Sequence, residues 1–484
     1  MKDFLNSTVV ELAKVIASGV RTAEEVLVSY ISQAEEKSHL NALLFLDEIK
    51  EEAIQKAKRI DLKIKNKEAV GKLAGVPFIV KDNIETQGIS TTNGSKTLEG
   101  FKPKQNSPVV QKLIDEGAII LAKANMHECA FGITSLNAAY GDVKNPNDPS
   151  KIAGGSSGGT AAGVAANMAP FGLGTDTGGS TRIPPALNGL VGFRPTLLRY
   201  SQENTVPISS SRDTIGLITK NMEDTILIDS VVKDYDKDSL PKTEVRGLRL
   251  GILKEYFFQN LSVEVEELVH KALDKLSRAG VELVEVSIDN LFELTQSVSF
   301  QLVLSEAKAI KDYFIKNEIP FELDDFLSKL SSADVKGVYQ NIVFGSPIEG
   351  LTDAETYKDV IENRRPALIK AIENCYKTFN IEGLLFPMTP LEACAISEAK
   401  EGVVTYNTKN GLKQIAATQE GDHIFGTYIQ NADPGSTSGM PGITIPMGKT
   451  SNKLDVGLGL DGLANNDLKI LSIGLQLEQI LKAH

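Results

Sequence analysis

The sequence predicts an α/β fold in which a mixed, largely parallel central sheet is covered by helices on both faces. Short apolar segments with the length of strands alternate with helical patterns along most of the chain, and fully apolar strands are typical of sheets covered on both faces. The stretch at about 290–380 is helical and lacks clear strand patterns, so we interpret it as a helical cap or insertion. We expect a single domain that spans 1–484.

The first 65 residues are predicted to form helices. Thr8 with Glu11, and Thr22 with Glu25, have the spacing of capping boxes, and each pair precedes an amphipathic run. Gly19 lies between the two patterns and is a plausible C-cap for the first helix. The segment 1–65 is therefore interpreted as an N-terminal helical region.

The character of the chain changes after these helices. Residues 76–81 read as a buried strand that ends in Lys81. Ser107 and Pro108 have the pattern of an N-cap followed by a proline at the first helical position, and Gly117 ends this helix before a strand at 118–122.

Strands and helices continue to alternate further along the chain. The predicted elements are a helix at 160–168, a strand at 248–253, a helix from Ser262 to 279, a strand at 281–286, strands at 383–386, 443–445 and 456–460, and a last helix at about 466–482.

Charge and composition exclude several classes of function. The formal net charge of −12 argues against nucleic acid or an anionic membrane surface as a partner, because both require clustered Lys and Arg. No segment reaches the ~18 apolar residues of a membrane span, and no signal peptide is evident. The three cysteines are far apart, which indicates no disulfide framework and suits a reducing cytoplasm. The oligomeric state stays open, with a homodimer possible.

A glycine-rich segment at 154–196 is the most informative part of the sequence. It holds eleven of the 40 glycines, and two Gly-Gly-Ser turns end at Ser156 and Ser180. Glycine allows backbone to approach a ligand closely, and successive bare N–H groups can bind an anion. The segment can therefore bring two hydroxyls to one site.

Two general motifs compete for this segment. A phosphate-binding P-loop would need a Gly-Lys-Ser/Thr ending, which is missing. Residues 154–158 match the G-x-S-x-G nucleophile elbow, but the preceding 145–151 is a polar loop and not a strand. The elbow also needs a downstream histidine; His270 lies on the polar side of a helix, whereas His423 lies in a loop and remains a candidate.

The segment resembles the signature of the amidase signature family, through GGSSGG and GTDTGGSTR, and the resemblance extends across nearly the whole chain. It implies the amidase signature fold, with Ser180 as nucleophile, Ser156 as a bridging serine on a cis peptide bond, and Lys81 as base. Within the family, Ser211–Arg212–Asp213–Thr214 and the motifs at 433–435 and 439–442 look most like indoleacetamide and mandelamide hydrolases.

The resemblance implies an amidase that acts on small carboxamides, with aryl or indole-type primary amides as the expected substrates and no cofactor. The alternatives are an amidotransferase A-type subunit of a multi-protein glutamine-dependent complex, and an esterase or carbamate hydrolase of the same fold.

The chemistry requires a neutral lysine and a relay. Burial at the end of an apolar strand disfavours the ammonium form of Lys81, which is the direction that a base needs. Ser156 can accept the proton of Ser180 while it donates toward Lys81. Ser157 is interpreted as a turn residue or as a hydrogen-bond donor to Ser156.

The second Gly-Gly-Ser turn is predicted to form an oxyanion hole. Its expected donors are the backbone N–H groups of Thr177, Gly178, Gly179 and Ser180. Asp176 and Arg182 flank the turn, and we interpret them as a structural pair that holds its shape, with a direct substrate role as the alternative.

Other residues receive lesser assignments. Phe131, Ile133 and Thr134 are candidates for the acyl pocket, with core packing equally compatible for the two apolar residues. His127 and Glu128 begin like a zinc-protease motif, but Phe131 stands where the second histidine is required, so we expect no metal.

Overall fold

The computed structural model describes residues 4–416 and 424–483. Eleven strands form one sheet, in the order β1-β3-β2-β4-β6-β5-β12-β13-β9-β7-β8, and β10 and β11 form a separate hairpin. The strands are β1 (Leu43–Leu44), β2 (Pro77–Lys81), β3 (Ile119–Ala124), β4 (Phe171–Asp176), β5 (Val191–Arg194), β6 (Thr214–Thr219), β7 (Arg249–Ile252), β8 (Glu282–Glu285), β9 (Gly383–Pro387), β10 (Val403–Thr408), β11 (Gly411–Ala416), β12 (Gly442–Lys449) and β13 (Asp455–Asp461).

Helices connect and cover these strands. The α-helices are α1 (Val9–Ala17), α2 (Ala23–Glu36), α3 (Leu46–Lys65), α4 (Pro108–Asp115), α5 (Gly158–Ala165), α6 (Ile183–Asn188), α7 (Met222–Lys233), α8 (Lys254–Phe257), α9 (Val263–Ala279), α10 (Leu291–Gln296), α11 (Ser299–Glu306), α12 (Ala309–Lys316), α13 (Leu323–Lys329), α14 (Ala333–Val338), α15 (Ala354–Asp359), α16 (Arg365–Phe379), α17 (Ile396–Glu401), α18 (Ile424–Ile429), α19 (Asp433–Ser438) and α20 (Asp467–Lys482). Short 3-10 turns lie at Ser38–Leu40, Lys96–Leu98, Glu128–Ala130 and Lys237–Ser239, and π-helical turns at Tyr339–Val343 and Val360–Arg364.

The sheet is mixed, as the sequence predicts. Toward one end β2 pairs in parallel with β3 and β4, and toward the other end β7 pairs in parallel with β8 and β9. The strands between them, from β4 to β9, pair in antiparallel fashion. The carboxyl ends of β2 and β4 therefore meet at the same edge of the sheet, and this edge carries the candidate site.

Helices lie on both faces of the sheet. A Cβ placed on Gly457 of β13 would meet Ala186 of α6, whereas Gly474 of α20 lies against Ile443 of β12. Ile443 is paired with Leu460, and alternate residues of a strand point to opposite faces, so α6 and α20 cover opposite sides. The α/β fold class is confirmed.

Both predicted capping boxes are present at the N-terminus. The hydroxyl of Thr8 accepts from the backbone N–H of Glu11, and that of Thr22 accepts from Glu25, with the glutamate carboxylates bonded back to the cap N–H groups. Gly19 follows the end of α1 in the left-handed region at φ +72°. These helices pack on the sheet through buried apolar side chains.

Four strands of the main sheet, β1, β4, β5 and β6, and the β10–β11 hairpin are absent from the predicted elements, and β1 lies within the segment 1–65, which the sequence predicts to be helical. β4 has the sequence FGLGTD, and its glycines suggest loop. In the fold these glycines allow close packing, because a Cβ on Gly172 would lie 2.5 Å from Thr160 of α5. Glycine at this strand thus reflects the approach of a helix and not a turn.

Between β8 and β9 the described chain is helical, from α10 to α16. The first strand, β1, and the last strand, β13, belong to the same sheet. The single domain stays a prediction. No helix in the described ranges has the length and apolarity needed to cross a bilayer.

Candidate active site

Lys81 ends β2 and is fully buried. Its Nζ lies 2.8 Å from Oγ of Ser156 and 2.8 Å from Oγ1 of Thr175. Thr175 belongs to β4, the parallel neighbour of β2, and its hydroxyl also accepts from the amide of Asn83 at 3.0 Å. Within the described chain no carboxylate forms an ion pair with Lys81.

Burial shifts the pKa of Lys81 strongly. Loss of solvation lowers the pKa of its amine from 10.5 to about 7, and the more distant charges of Asp176 and Asp213 oppose this shift only in part. The amine is therefore available in its neutral form near neutral pH, surrounded by hydroxyl groups.

Ser156 lies immediately before α5, and its peptide bond with Gly155 is cis. The backbone here is tightly packed, since a Cβ on Gly155 would lie 2.6 Å from the carbonyl carbon of Ile133. Ser157, predicted as a turn residue or a donor to Ser156, directly precedes α5 without a side-chain capping bond. Its hydroxyl bonds the backbone of Thr175 instead: it donates to the carbonyl at 3.2 Å and accepts from the N–H at 3.3 Å. The predicted hydrogen bond from Ser157 to Ser156 is therefore not formed among the described residues.

Ser180 lies in the turn between β4 and α6, and its side chain faces a cavity. The structure does not form the predicted hydrogen bond between Ser180 and Ser156 among the residues it describes. The chain of contacts therefore runs from Lys81 to Ser156, and the hydroxyl of Ser180 has no hydrogen-bond partner among residues 4–416 and 424–483.

Asp176 organises this turn. Its buried carboxylate accepts from Arg182 Nε at 3.1 Å, from Arg194 Nη1 at 2.9 Å and from the side chain and N–H of Thr181. The two guanidinium groups outweigh burial and hold the pKa of the Asp176 carboxyl far below its ordinary value. Burial lowers the pKa of Arg194 to about 10. Asp176 and Arg182 are both fully buried, which favours their interpretation as a structural pair.

The turn leaves some backbone donors free. Gly179 N–H donates to Asp176 Oδ1 at 2.7 Å and is therefore not free to bind an oxyanion. The prediction that Gly179 is an oxyanion-hole donor is wrong for this reason. Within the described ranges, the N–H groups of Thr177, Gly178 and Ser180 have no protein acceptor. Gly179 adopts φ +121°, and a Cβ there would lie 2.6 Å from Ala432. Three of the four predicted donors thus remain available to a ligand.

A cavity of about 740 Å³ opens beside Ser180. The predicted pocket residues Phe131, Ile133 and Thr134 all line it. Most of its other apolar walls come from the cap helices and from α18, and Leu136 and Ile208 come from loops: Leu136, Ile208, Phe300, Val303, Leu304, Val338, Ile424, Phe425 and Ile429. The ring of Phe131 packs edge-on against Tyr339, with centroids 5.3 Å apart. The cavity is therefore suited to a group that is mostly apolar.

Several polar side chains also line the cavity. His127 Nε2 lies 3.3 Å from Asp334 Oδ2, and its Nδ1 lies 3.4 Å from Thr134 Oγ1. The Lys400–Asp142 ion pair, at 2.6 Å, also lines it. A bound molecule would therefore meet hydrogen-bonding groups as well as apolar side chains.

His127, Glu128 and His270 have separate surroundings in the described chain. His127 does not face its neighbour Glu128, whose buried carboxylate accepts from Ser95, Ser331 and Ser332. No cluster of potential metal ligands occurs among residues 4–416 and 424–483. His270 is largely exposed on α9, and His423 lies outside the described residues.

Three residues around the turn are not among the site residues predicted from the sequence. Thr175 contacts the Lys81 amine, Asp213 accepts from the Thr177 hydroxyl at 2.6 Å, and Arg212 donates to the Thr177 carbonyl at 2.9 Å. For Arg212 and Asp213, the signal in the sequence is the Ser211–Thr214 motif, in which two adjacent residues of opposite charge precede an apolar strand. The contacts of Arg212 and Asp213 depend on the unpredicted pairing of β4 with β6, and that of Thr175 depends on the pairing of β4 with β2.

Comparison with known proteins gives a consistent result. The family model "Amidase" matches residues 25–471. Mandelamide hydrolase of Pseudomonas putida is 35% identical over 98% of this chain and 91% of its own length, and indoleacetamide hydrolase of Agrobacterium vitis is 35% identical over 94% and 93%. A solved amidase crystal structure covers 98% of this chain and 99% of its own, with a TM-score of 0.79 and 29% identity.

Proposed function

The chain belongs to the amidase family and hydrolyses amides, and from this premise we propose that its substrates are small aryl or indole-type primary carboxamides and that Lys81, Ser156 and Ser180 catalyse their cleavage. The observation that carries the catalytic proposal is the buried amine of Lys81, 2.8 Å from Ser156 and with a pKa lowered to about 7. A neutral amine in contact with a serine hydroxyl has the properties of a general base.

The first step forms an acyl-enzyme. Ser180 Oγ attacks the amide carbon while its proton passes to Ser156, whose own proton passes to the Lys81 amine. The contact between Ser180 and Ser156 has to form in the substrate complex, and catalytic hydrogen bonds often tighten only when substrate is bound. The carbonyl π electrons move to oxygen, which becomes an anion.

Free backbone donors stabilise this anion. The N–H groups of Thr177, Gly178 and Ser180 have no acceptor in the described chain and lie beside the cavity. One such donor typically contributes about 3 kcal/mol to the stability of the transition state. The buried Asp176 holds the turn in shape, because it bonds both Arg182 and Arg194.

Collapse of the tetrahedral intermediate breaks the carbon–nitrogen bond. The proton returns from Lys81 through Ser156 to the leaving nitrogen, so that ammonia departs. Water then attacks the ester carbon of the acylated Ser180 and gives its proton along the same path to Lys81. The ester bond to Ser180 Oγ breaks, and the proton returns from Lys81 through Ser156 to this oxygen. The products are the carboxylic acid, ammonia and free enzyme.

The cavity supports the substrate class. Its walls are mostly aliphatic and aromatic, and its volume of about 740 Å³ accommodates a ring system attached to the reacting carbonyl. The polar group of His127 and Asp334 can meet a hydroxyl or ring N–H of the acyl group. The amidotransferase-subunit alternative is less supported, because the relatives compared above carry the names of hydrolases.

Replacement of the nucleophile tests the proposal. Ser180→Ala should release no ammonia from phenylacetamide or indoleacetamide, and it should lose labelling by a serine-directed fluorophosphonate. The matched control is Ser230→Ala, which removes a buried hydroxyl of α7 that bonds only the Leu227 carbonyl. Ammonia release at the wild-type rate from the Ser180→Ala protein contradicts the proposal.

A further inference from the structure

Arg212 connects the second Gly-Gly-Ser turn to the cap. Its guanidinium is almost completely buried, and Nε donates to the Thr177 carbonyl at 2.9 Å. Nη1 donates to the carbonyl and hydroxyl of Ser299, the first residue of α11, at 3.1 and 2.7 Å. Nη2 pairs with Asp433 Oδ1 at 2.7 Å.

The bond to the Thr177 carbonyl has a geometric consequence. In a planar trans peptide, the carbonyl of one residue and the N–H of the next point in opposite directions. With the Thr177 carbonyl held by Arg212, the N–H of Gly178 is directed away from that guanidinium. This N–H has no acceptor in the described chain, and Gly178 lines the cavity.

The neighbouring peptide units are fixed in the same way. The carbonyl of Asp176 accepts from Arg194, which orients the N–H of Thr177. The carbonyl of Gly179 accepts from the N–H groups of Arg182 and Ile183, each at 2.8 Å, which orients the N–H of Ser180. Each free N–H of the turn thus follows a carbonyl that accepts a hydrogen bond from a protein group. Within the described chain, the group that holds the Thr177 carbonyl, Arg212, is the one that also bonds the cap.

We propose that Arg212 is a positioning residue for the oxyanion hole: it aims the Gly178 N–H at the carbonyl oxygen of the substrate and fixes that donor relative to α11, a wall of the acyl cavity. The inference rests on the proposed function, in which Ser180 is the nucleophile. Arg212 also lines the cavity, and in this proposal it acts through the Thr177 peptide and not by a bond to the reacting atoms.

A planar guanidinium suits this role better than an ammonium group. The three partners of Arg212 lie on different elements, and a rigid fork of N–H donors can bond all of them at once. Lysine would keep the buried charge near Asp433 but would provide a single point of contact. Thr177 is also held through its hydroxyl by Asp213, so loss of the arginine affects mainly the orientation of the peptide plane.

The first test separates kcat from KM for phenylacetamide hydrolysis. Arg212→Lys should lower kcat by about 10- to 100-fold, since a misdirected oxyanion donor loses most of its value, while KM stays within about threefold. The matched control is Arg249→Lys. Arg249 also donates to two backbone carbonyls, those of Asn380 and Phe379, but lies on β7 and does not contact the 177–180 turn, so its kcat should stay within about twofold.

The second test compares two inhibitors. Phenylacetaldehyde adds to Ser180 as a hemiacetal whose oxygen lies at the oxyanion position, whereas 2-phenylethanol has the same ring and no carbonyl. Arg212→Lys should weaken inhibition by the aldehyde by about the factor lost in kcat, and should change inhibition by the alcohol by less than about twofold. The double variant Arg212→Gln/Asp433→Asn removes both charges of the pair and replaces Arg212→Lys in these tests if that variant folds poorly. It should show the same decrease in kcat and the same selective weakening of inhibition by the aldehyde.

The outcomes distinguish the two levels of inference. Full kcat in a folded Arg212→Lys or double variant, or equal weakening of aldehyde and alcohol, overturns the positioning role. A wild-type protein that neither hydrolyses phenylacetamide nor is labelled at Ser180 overturns the proposed catalytic mechanism and substrate class themselves.

Discussion

The amine of Lys81 and the hydroxyl of Ser156 lie 2.8 Å apart in a site that solvent does not reach. A lysine at the end of a buried strand normally needs a carboxylate partner. Here its partners are hydroxyl groups, so burial lowers its pKa to about 7 without full compensation from charge.

The pH dependence of activity should follow this amine. Below about pH 7 the ammonium form predominates and cannot accept a proton, so kcat/KM should fall about tenfold per pH unit as the pH decreases and should level off above 7. Lys81→Met should lower kcat by about 10²- to 10⁴-fold.

The control for this profile is Lys220→Met. Lys220 is also mostly buried, and burial lowers its pKa to about 8, but it bonds the Leu5 carbonyl far along the chain. The Lys220→Met protein should retain the wild-type decrease of kcat/KM below about pH 7. A profile of the wild-type enzyme that is flat between pH 5.5 and 8 would exclude Lys81 as the base.

Removal of Asp176 should destabilise the fold. Asp176→Ala leaves two buried guanidinium groups without their shared partner, which typically costs about 3–5 kcal/mol in free energy of unfolding. Urea denaturation at pH 7 measures it. Glu318→Gln breaks an exposed ion pair with Lys104 and should leave the transition unchanged, because such pairs contribute little.

The same carboxylate predicts acid sensitivity. Its folded-state pKa lies below the unfolded value of about 4, so its contribution is complete above that value and is lost as the pH falls toward the folded-state pKa. Between pH 5 and 3 the wild type should therefore lose more stability than Asp176→Ala; equal losses would show that Asp176 is not the responsible group.

Gly179→Ala should abolish most activity. The residue has φ +121°, and a new Cβ would lie 2.6 Å from Ala432 and 2.7 Å from Ile183, so the turn has to move. Gly88→Ala is a control with φ +72° and open space around the Cβ, and it should cost only the ~1 kcal/mol of left-handed backbone. Ammonia release and urea denaturation of Gly179→Ala and Gly88→Ala distinguish a steric clash of the new Cβ from a general effect of the left-handed backbone. Equal losses of activity in the two variants would contradict the clash.

Substrate preference should depend on the cavity walls. The wild type should hydrolyse phenylacetamide with a kcat/KM about 100-fold above that for propionamide, because the ring is buried against apolar side chains. Phe131→Ala should reduce this preference about tenfold. Phe292→Ala removes a half-exposed ring that contacts Tyr256 outside the cavity, and it should leave the ratio intact; a ratio near one in the wild type would refute the aryl preference.

Patterns local in the chain were sufficient for many elements. The capping boxes at Thr8 and Thr22, the strand ending at Lys81 and the helix capped by Ser262 depend on residues within one turn or one strand, and all occur in the fold. The family resemblance directed attention to Ser156 and Ser180, which no periodicity distinguishes from other serines.

Contacts between distant segments could not be predicted in this way. Thr175 reaches Lys81 only because β4 lies beside β2, and β4 was hidden by its glycines. Likewise, the N–H of Gly179 looks equivalent to its neighbours in the sequence, but the carboxylate of Asp176 folds back to accept it. The direction of a single peptide plane is a tertiary property.

The reactive groups and the acyl cavity are built from different parts of the chain. Lys81, Thr175 and the 177–180 turn are set by strand pairing, whereas most apolar cavity walls come from the helices after β8 and from α18. Substrate range can therefore diverge by exchange of those helices while the reaction itself is inherited unchanged, which makes them the natural target for engineering enzymes that accept new acyl groups.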